Sequence, residues 1–177
     1  MSSKNAQELK ERIDAAWENL SGQLEGMEAH LERSDAPGEW TTREVLSHLL
    51  FESGFDPAVK LGKFSTRDYP LVEIKPGDTF LDDQRRRMTL AQLREGLETQ
   101  RRRVLDYIDG LQEQEFERKA RIPLFKQFMG TDEITISMYV GALFDYHWND
   151  HAGQLGKIRE AVGLPSGPAA KPSGVPI

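Results

Sequence analysis

Two of the four histidines stand one helical turn apart in Asp145-Tyr146-His147-Trp148-Asn149-Asp150-His151. They fall on a stripe of three- and four-residue steps, Ile136, Val140, Phe144, His147, His151, Leu155, Ile158 and Val162, which is the pattern of a core-facing helix side. Neutral imidazoles turned into a core are costly without partners. Side chains at i and i+4 stand about 5–6 Å apart at Cβ, close enough to share one metal ion. A carboxylate or a backbone carbonyl would satisfy them equally well, so the pair alone leaves both readings open. His48, three residues after Val45, lies on the flank of a second amphipathic face, and three histidines from two helices can then converge on one point. His30 sits beside the stripe of the first helix and reads as a boundary residue.

Three neutral nitrogen ligands suit zinc, nickel or ferrous iron, and leave at least one position open for a water or a substrate. The chain has no cysteine, which excludes disulfides, thiolate ligands and a cysteine nucleophile. Any thiol chemistry would therefore use a low-molecular-weight thiol from outside. Glu52, Asp145 and Asp150 are candidate acceptors for the outer ring N–H groups, although carboxylates on helices are more often solvated. Tyr146 and Trp148 flank the pair, as pocket walls or as ordinary packing. No nucleophile triad and no phosphate-cradling glycine loop is found.

The elements that must position these histidines are helical. Leu9, Ile13, Trp17, Leu20, Leu24, Met27 and Leu31 predict a first helix from Ser3 or Asn5 to about Arg33. Pro37 and Gly38 break the chain, and Thr41 with Glu44 forms a capping box that opens the helix carrying His48. Gly62 to Met88 is a long connection, with room for a short helix, of the kind that covers sites. Thr89 with Gln92 opens a third helix, which ends near Gly110 and carries Gln100 on its apolar stripe. Gln112 to Gly130 reads as irregular, with Ile122-Pro123-Leu124-Phe125 and Phe128-Met129 as an apolar hook expected to pack over one end of the bundle. Thr131 or Asp132 is expected to cap the fourth helix, which stops at Gly163. No alternating strand pattern of useful length appears, so the fold class is all-α, a four-helix bundle over residues 1–165 with a long connection between helices 2 and 3. Residues 166–177, rich in proline and glycine, are expected to be a flexible tail.

The chain's 177 residues, 38% hydrophobic and 29% charged, fit one domain with one core. A net charge of −6 argues against nucleic acid as a partner, and the clusters Arg85-Arg86-Arg87 and Arg101-Arg102-Arg103 read as solvated helix faces. No apolar run approaches a membrane span, and the first residues lack the apolar core of a secretory signal, so the cytoplasm is expected and no membrane.

Two stretches carry a family resemblance. Trp40-Thr41-Thr42-Arg43-Glu44-Val45-Leu46-Ser47-His48-Leu49 resembles the tryptophan, helix start and first histidine of the DinB/YfiT-like superfamily. The second stretch, Tyr146-His147-Trp148-Asn149-Asp150-His151-Ala152-Gly153-Gln154-Leu155-Gly156-Lys157-Ile158-Arg159, resembles its closing HxxxH helix with a Gln-x-x-x-x-Arg flank. The resemblance spans nearly the whole chain before the tail. It implies a DinB-like four-helix bundle, a divalent metal (Zn2+, Ni2+ or Fe2+) held by His48, His147 and His151, and a homodimer. It also implies a small-molecule substrate, since relatives include transferases and isomerases that use bacillithiol, mycothiol or glutathione. The reaction then expected is transfer of such a thiol to a small electrophile, or its hydrolysis. The rival readings are a non-catalytic metal or toxin binder in stress protection, and a metal-free helical dimer.

Overall fold

The computed structural model describes residues 2–165 and Gly167. The expected flexible tail therefore lies, apart from Gly167, outside the described residues. In chain order the elements are α1 (Lys4–Gly22), α2 (Thr42–Leu49), α3 (Pro57–Leu61), α4 (Asp83–Arg87), α5 (Leu90–Asp109), β1 (Lys119–Arg121), α6 (Lys126–Met129), β2 (Glu133–Thr135), α7 (Ile136–Gly141) and α8 (His147–Ala161). A π-helical turn, Ala142–Tyr146, joins α7 to α8 without a break. The bundle is thus α1, α2, α5 and the composite helix α7–α8. Each of α1 and α2 is flanked by both α5 and α8.

α1 starts on Ser3, whose side chain accepts from the Ala6 N–H, and buries Leu9, Ile13, Ala16 and Leu20 against the bundle. It ends eleven residues earlier than the apolar stripe predicts. Leu24, Met27 and Leu31 are indeed buried, but they follow the helix in turns that include a 3-10 segment, Glu28–His30. Gly26 at φ +74° takes a left-handed conformation that disfavours helix continuation. The freed carbonyls of Gln23 and Glu25 are taken by Arg159 of α8, which also donates to the Pro165 carbonyl from Nε at 3.1 Å and Nη2 at 2.9 Å. A tertiary guanidinium thus pins the turns that follow α1, and no local pattern announces it.

Both capping boxes form as expected. The Glu44 N–H donates to Thr41 Oγ1 at 3.2 Å, and the Thr41 N–H donates to the Glu44 carboxylate at 2.7 Å; Thr89 and Gln92 repeat the arrangement. Thr41→Ala is expected to lower stability by about 1 kcal/mol, read as a lower urea midpoint at unchanged slope. α2 also lies close against α5. A Cβ added at Gly96 would stand 3.0 Å from Leu50 Cδ2, and Gln100 donates to the Leu49 carbonyl at 3.1 Å. The polar residue on the apolar stripe of α5 therefore closes the end of the helix that carries His48.

The irregular stretch after Gly110 holds a two-stranded antiparallel sheet that the sequence did not announce, with Lys119 opposite Thr135, Ala120 opposite Ile134 and Arg121 opposite Glu133. Strands of three residues are too short for alternation to show. The sheet also moves the start of the last helix. Thr135, not Thr131 or Asp132, is its N-cap and accepts from the Met138 N–H, while Asp132 pairs with Arg121. Of the apolar hook, Ile122 and Phe125 are buried, while Leu124, Phe128 and Met129 are only half-buried. Among the described residues no helix is long and apolar enough to cross a membrane.

Candidate metal centre

The π-helical turn stands directly before His147. The His147 N–H bonds to the Ala142 carbonyl five residues back, so one extra residue enters the helix and resets its register. Before the turn Tyr139 and Val140 are buried, within it Leu143 and Phe144, and after it His147, Trp148, His151 and Leu155. Asn149 bridges the irregularity, its Nδ2 donating to the Asp145 carbonyl at 3.0 Å and to its carboxylate at 2.9 Å.

His48 from α2 and the pair from α8 meet inside the bundle, at 4%, 1% and 7% exposure respectively. One ligand-capable nitrogen from each lies within 4.8 Å of the others. The Nε2 atoms of His48 and His147 are 2.9 Å apart. The ring centroids of His151 stand 4.8 Å from His48 and 4.7 Å from His147. The convergence expected from sequence is present.

Proton positions follow from the outer partners. His48 Nδ1 lies 2.7 Å from the Asp78 carbonyl, and a carbonyl only accepts, so Nδ1 carries the proton and Nε2 a lone pair. His151 Nδ1 stands 2.8 Å from Gln154 Oε1, which leaves its Nε2 as a lone pair, buried with no partner among the described residues. Burial pushes the pKa of all three histidines down: His48 is lowered by desolvation, His151 falls to about 4, and His147 lies well below the usual value under desolvation and its two neighbours. With neutral rings, the 2.9 Å contact makes His147 the donor through Nε2, and its Nδ1 is a bare nitrogen buried without a partner. Only His147 has to move a proton for the site to present three Nε2 lone pairs.

That donor set fits a divalent ion of the zinc, nickel or ferrous type. Three imidazoles converge, two are oriented by outer acceptors as metal-ligating histidines commonly are, and an orphaned Nε2 points to a missing partner. Gln154→Leu removes the His151 acceptor and is expected to weaken zinc binding roughly tenfold or more, measured by competition with a chelating dye.

The outer shell differs from the carboxylates considered from sequence. Glu52 pairs with Lys75 at 2.5 Å, Asp145 pairs with Arg12 at 2.7 Å, and Asp150 is exposed. A backbone carbonyl from the long connection and an amide take those places. Gln154 is legible as the residue three after His151; Asp78 is not, because any residue can offer a carbonyl. Trp148 is core, packed on Trp17 and Phe144, and Tyr146 is exposed beneath Arg12. The walls are Trp40, whose ring stacks on His151 at 6.3 Å and leans on His48 at 5.0 Å, and Phe80, parallel to His48 at 6.2 Å. The connection between α2 and α5 does cover the site, as its length predicts, and it holds the short helix α4. His30 is half-buried, remote from the three in sequence role and absent from their cluster.

Comparison with known proteins gives consistent relatives. A family model of the DinB superfamily matches residues 12–155. The protein YuaE of Bacillus subtilis (strain 168), itself uncharacterised, is 26% identical over 161 residues, covering 82% of this chain and 91% of its own. The solved structure of YfiT from Bacillus subtilis, described as a probable metal-dependent hydrolase with an unusual four-helix bundle topology, superposes with a TM-score of 0.62 at 20% identity. The match covers 93% of this chain and 92% of that one, and at this identity it bears on the fold.

Proposed function

The chain belongs to the DinB superfamily, and from that premise we propose that it is a metal-dependent enzyme whose His48, His147 and His151 hold one divalent ion and whose substrate is a small electrophile. The observation that carries the reading is the meeting of three buried, neutral imidazoles with the outer nitrogens of two already committed. Three protein ligands leave room for a fourth, and an open position separates a catalytic from a structural site. A bound ion of this kind acidifies the water or thiol it holds and polarises the group under attack.

The chain's own residues define the rest. Asp78 and Gln154 fix the ring faces of His48 and His151, while Trp40 and Phe80 screen the centre from bulk water and strengthen every electrostatic interaction inside it. With the three imidazoles committed to the ion, the flanking Trp40, Phe80 and Gln154 offer no nucleophile and the chain has no cysteine, so the attacking group in this proposal is water or a soluble thiol. Both hydrolysis and thiol transfer belong to the proposal. The description of YfiT supports the first; the resemblance to thiol-dependent relatives supports the second.

The test is a panel of activated esters, amides and epoxides, assayed with and without glutathione, bacillithiol and mycothiol, on protein loaded in turn with zinc, nickel or ferrous iron. Turnover that disappears on chelation and in His151→Gln is the expected result. Rates equal to the protein-free blank for every ion and thiol, with the ion bound, would replace the enzyme by a non-catalytic binder. A homodimer is part of the same proposal, and light scattering reads it as twice the chain mass.

A further inference from the structure

Arg85 stands beside the centre and has no part in the function just proposed. It lies in α4, only 9% exposed, and its Nη1 donates to the Ser47 carbonyl at 2.9 Å, to Ser47 Oγ at 3.3 Å and to the Phe80 carbonyl at 3.2 Å. All three oxygens are neutral. Burying a guanidinium on neutral oxygens is costly, and Asp82, whose carboxylate caps α4 by accepting from the Arg85 N–H at 2.8 Å, supplies the compensating charge. Arg43 in turn holds α4 in place, donating from Nη1 to the Arg85 carbonyl at 2.9 Å and the Met88 carbonyl at 2.6 Å.

The two carbonyls held by Arg85 both belong to residues next to His48. Ser47 precedes it in α2, and Phe80 belongs to the turn whose Asp78 carbonyl meets His48 Nδ1 and whose ring lies parallel to the imidazole. Phe80 has φ +51°, a left-handed conformation that costs a non-glycine residue free energy, so the turn persists only where the surroundings hold it. Arg85 is such a hold, on the very residue that is strained.

We propose that Arg85 is a positioning residue for the centre: by tying the Ser47 and Phe80 carbonyls to one nitrogen, it keeps the Asp78 carbonyl on His48 Nδ1 and thereby turns the His48 Nε2 lone pair toward His147 and His151. The consequence for metal affinity rests on the metal reading above; the consequence for the His48 ring does not.

The experiment therefore has two arms. In metal-free protein, nitrogen-15 NMR of the imidazole rings reports the tautomer of His48: Nδ1 protonated in wild type, and a mixture of tautomers in Arg85→Met. Zinc competition then gives affinity, expected to drop by about tenfold or more in Arg85→Met, the range outer-shell partners usually carry. Arg85→Lys, which keeps a cation able to reach one of the carbonyls, is expected to recover part of both. An unchanged tautomer together with wild-type affinity in Arg85→Met overturns the proposal, whatever its effect on melting temperature. Should Arg85→Met fail to fold, the same two readings on Arg85→Lys decide: an intermediate tautomer and affinity support the role, and wild-type values for both overturn it. A wild-type protein that binds no zinc, while Arg85→Met still changes the His48 tautomer, removes the metal and leaves the positioning role standing.

Discussion

His147→Ala is expected to lose the divalent ion. Of the three proposed ligands, His147 is the most deeply buried and shares the 2.9 Å Nε2 contact with His48, so its removal would take away one of three nitrogens and leave the ion two. The loss in affinity should exceed the roughly 100-fold that marks the upper end for outer-shell partners. It has a second signature in stability. An ion that binds only the folded chain, at a thousandfold excess over its dissociation constant, stabilises by about 4 kcal/mol, which for a chain of this length raises the melting temperature by roughly 10 °C. Calorimetry of wild type and variant, each with and without zinc, should show that rise in wild type and none in His147→Ala. An equal rise in both would place the ion elsewhere.

The metal-free protein should also lose stability steeply in mild acid. All three imidazoles have folded-state pKa values below the ordinary 6.5, with desolvation as the largest cause, and His151 stands at about 4. In the unfolded chain they take up protons near 6.5, in the folded chain only at lower pH. The unfolded state therefore binds more protons between these values, and stability is fully present above pH 6.5 and is lost as the pH falls toward 4. For His151 alone the difference corresponds to roughly 3 kcal/mol. Asp14, Asp82 and Asp132, whose carboxyl groups are held below the usual range, contribute only at more acidic pH. Urea midpoints in the presence of a chelator should fall between pH 6.5 and 4.5, and the fall should be shallower in His151→Gln. Zinc at pH 7 is expected to add stability that acid removes, because protons would compete for the same nitrogens. A flat wild-type profile across that interval would mean that the imidazoles are not buried neutral.

The bundle and the meeting of the three histidines were legible because each rests on a periodic or local signal. Helical stripes locate α1, α5 and α8, the pairs Thr41/Glu44 and Thr89/Gln92 locate two helix starts, and the histidines lie on or beside apolar faces. What escaped depends on distant residues. Beyond Gly22 the stripe that suggested a longer helix remains buried, but in turns whose Gln23 and Glu25 carbonyls are held by Arg159, more than 130 positions away. The last helix is capped by Thr135, the final residue of β2, which pairs with β1, and three-residue strands leave no alternation to read. The π-helical turn has no composition signal of its own, yet it sets the register on which His147 and His151 face His48. The acceptor for His48 is a main-chain oxygen, which side-chain identity cannot reveal.

The most direct measurement is an anomalous-scattering map from crystals of untagged protein grown with zinc. One peak per chain, within bonding reach of the Nε2 atoms of His48, His147 and His151, with the Nδ1 atoms of His48 and His151 still on Asp78 and Gln154, is the predicted result. A peak bound elsewhere, or a map with no peak at full zinc loading and the three rings still packed on one another, would contradict the shared-ion account.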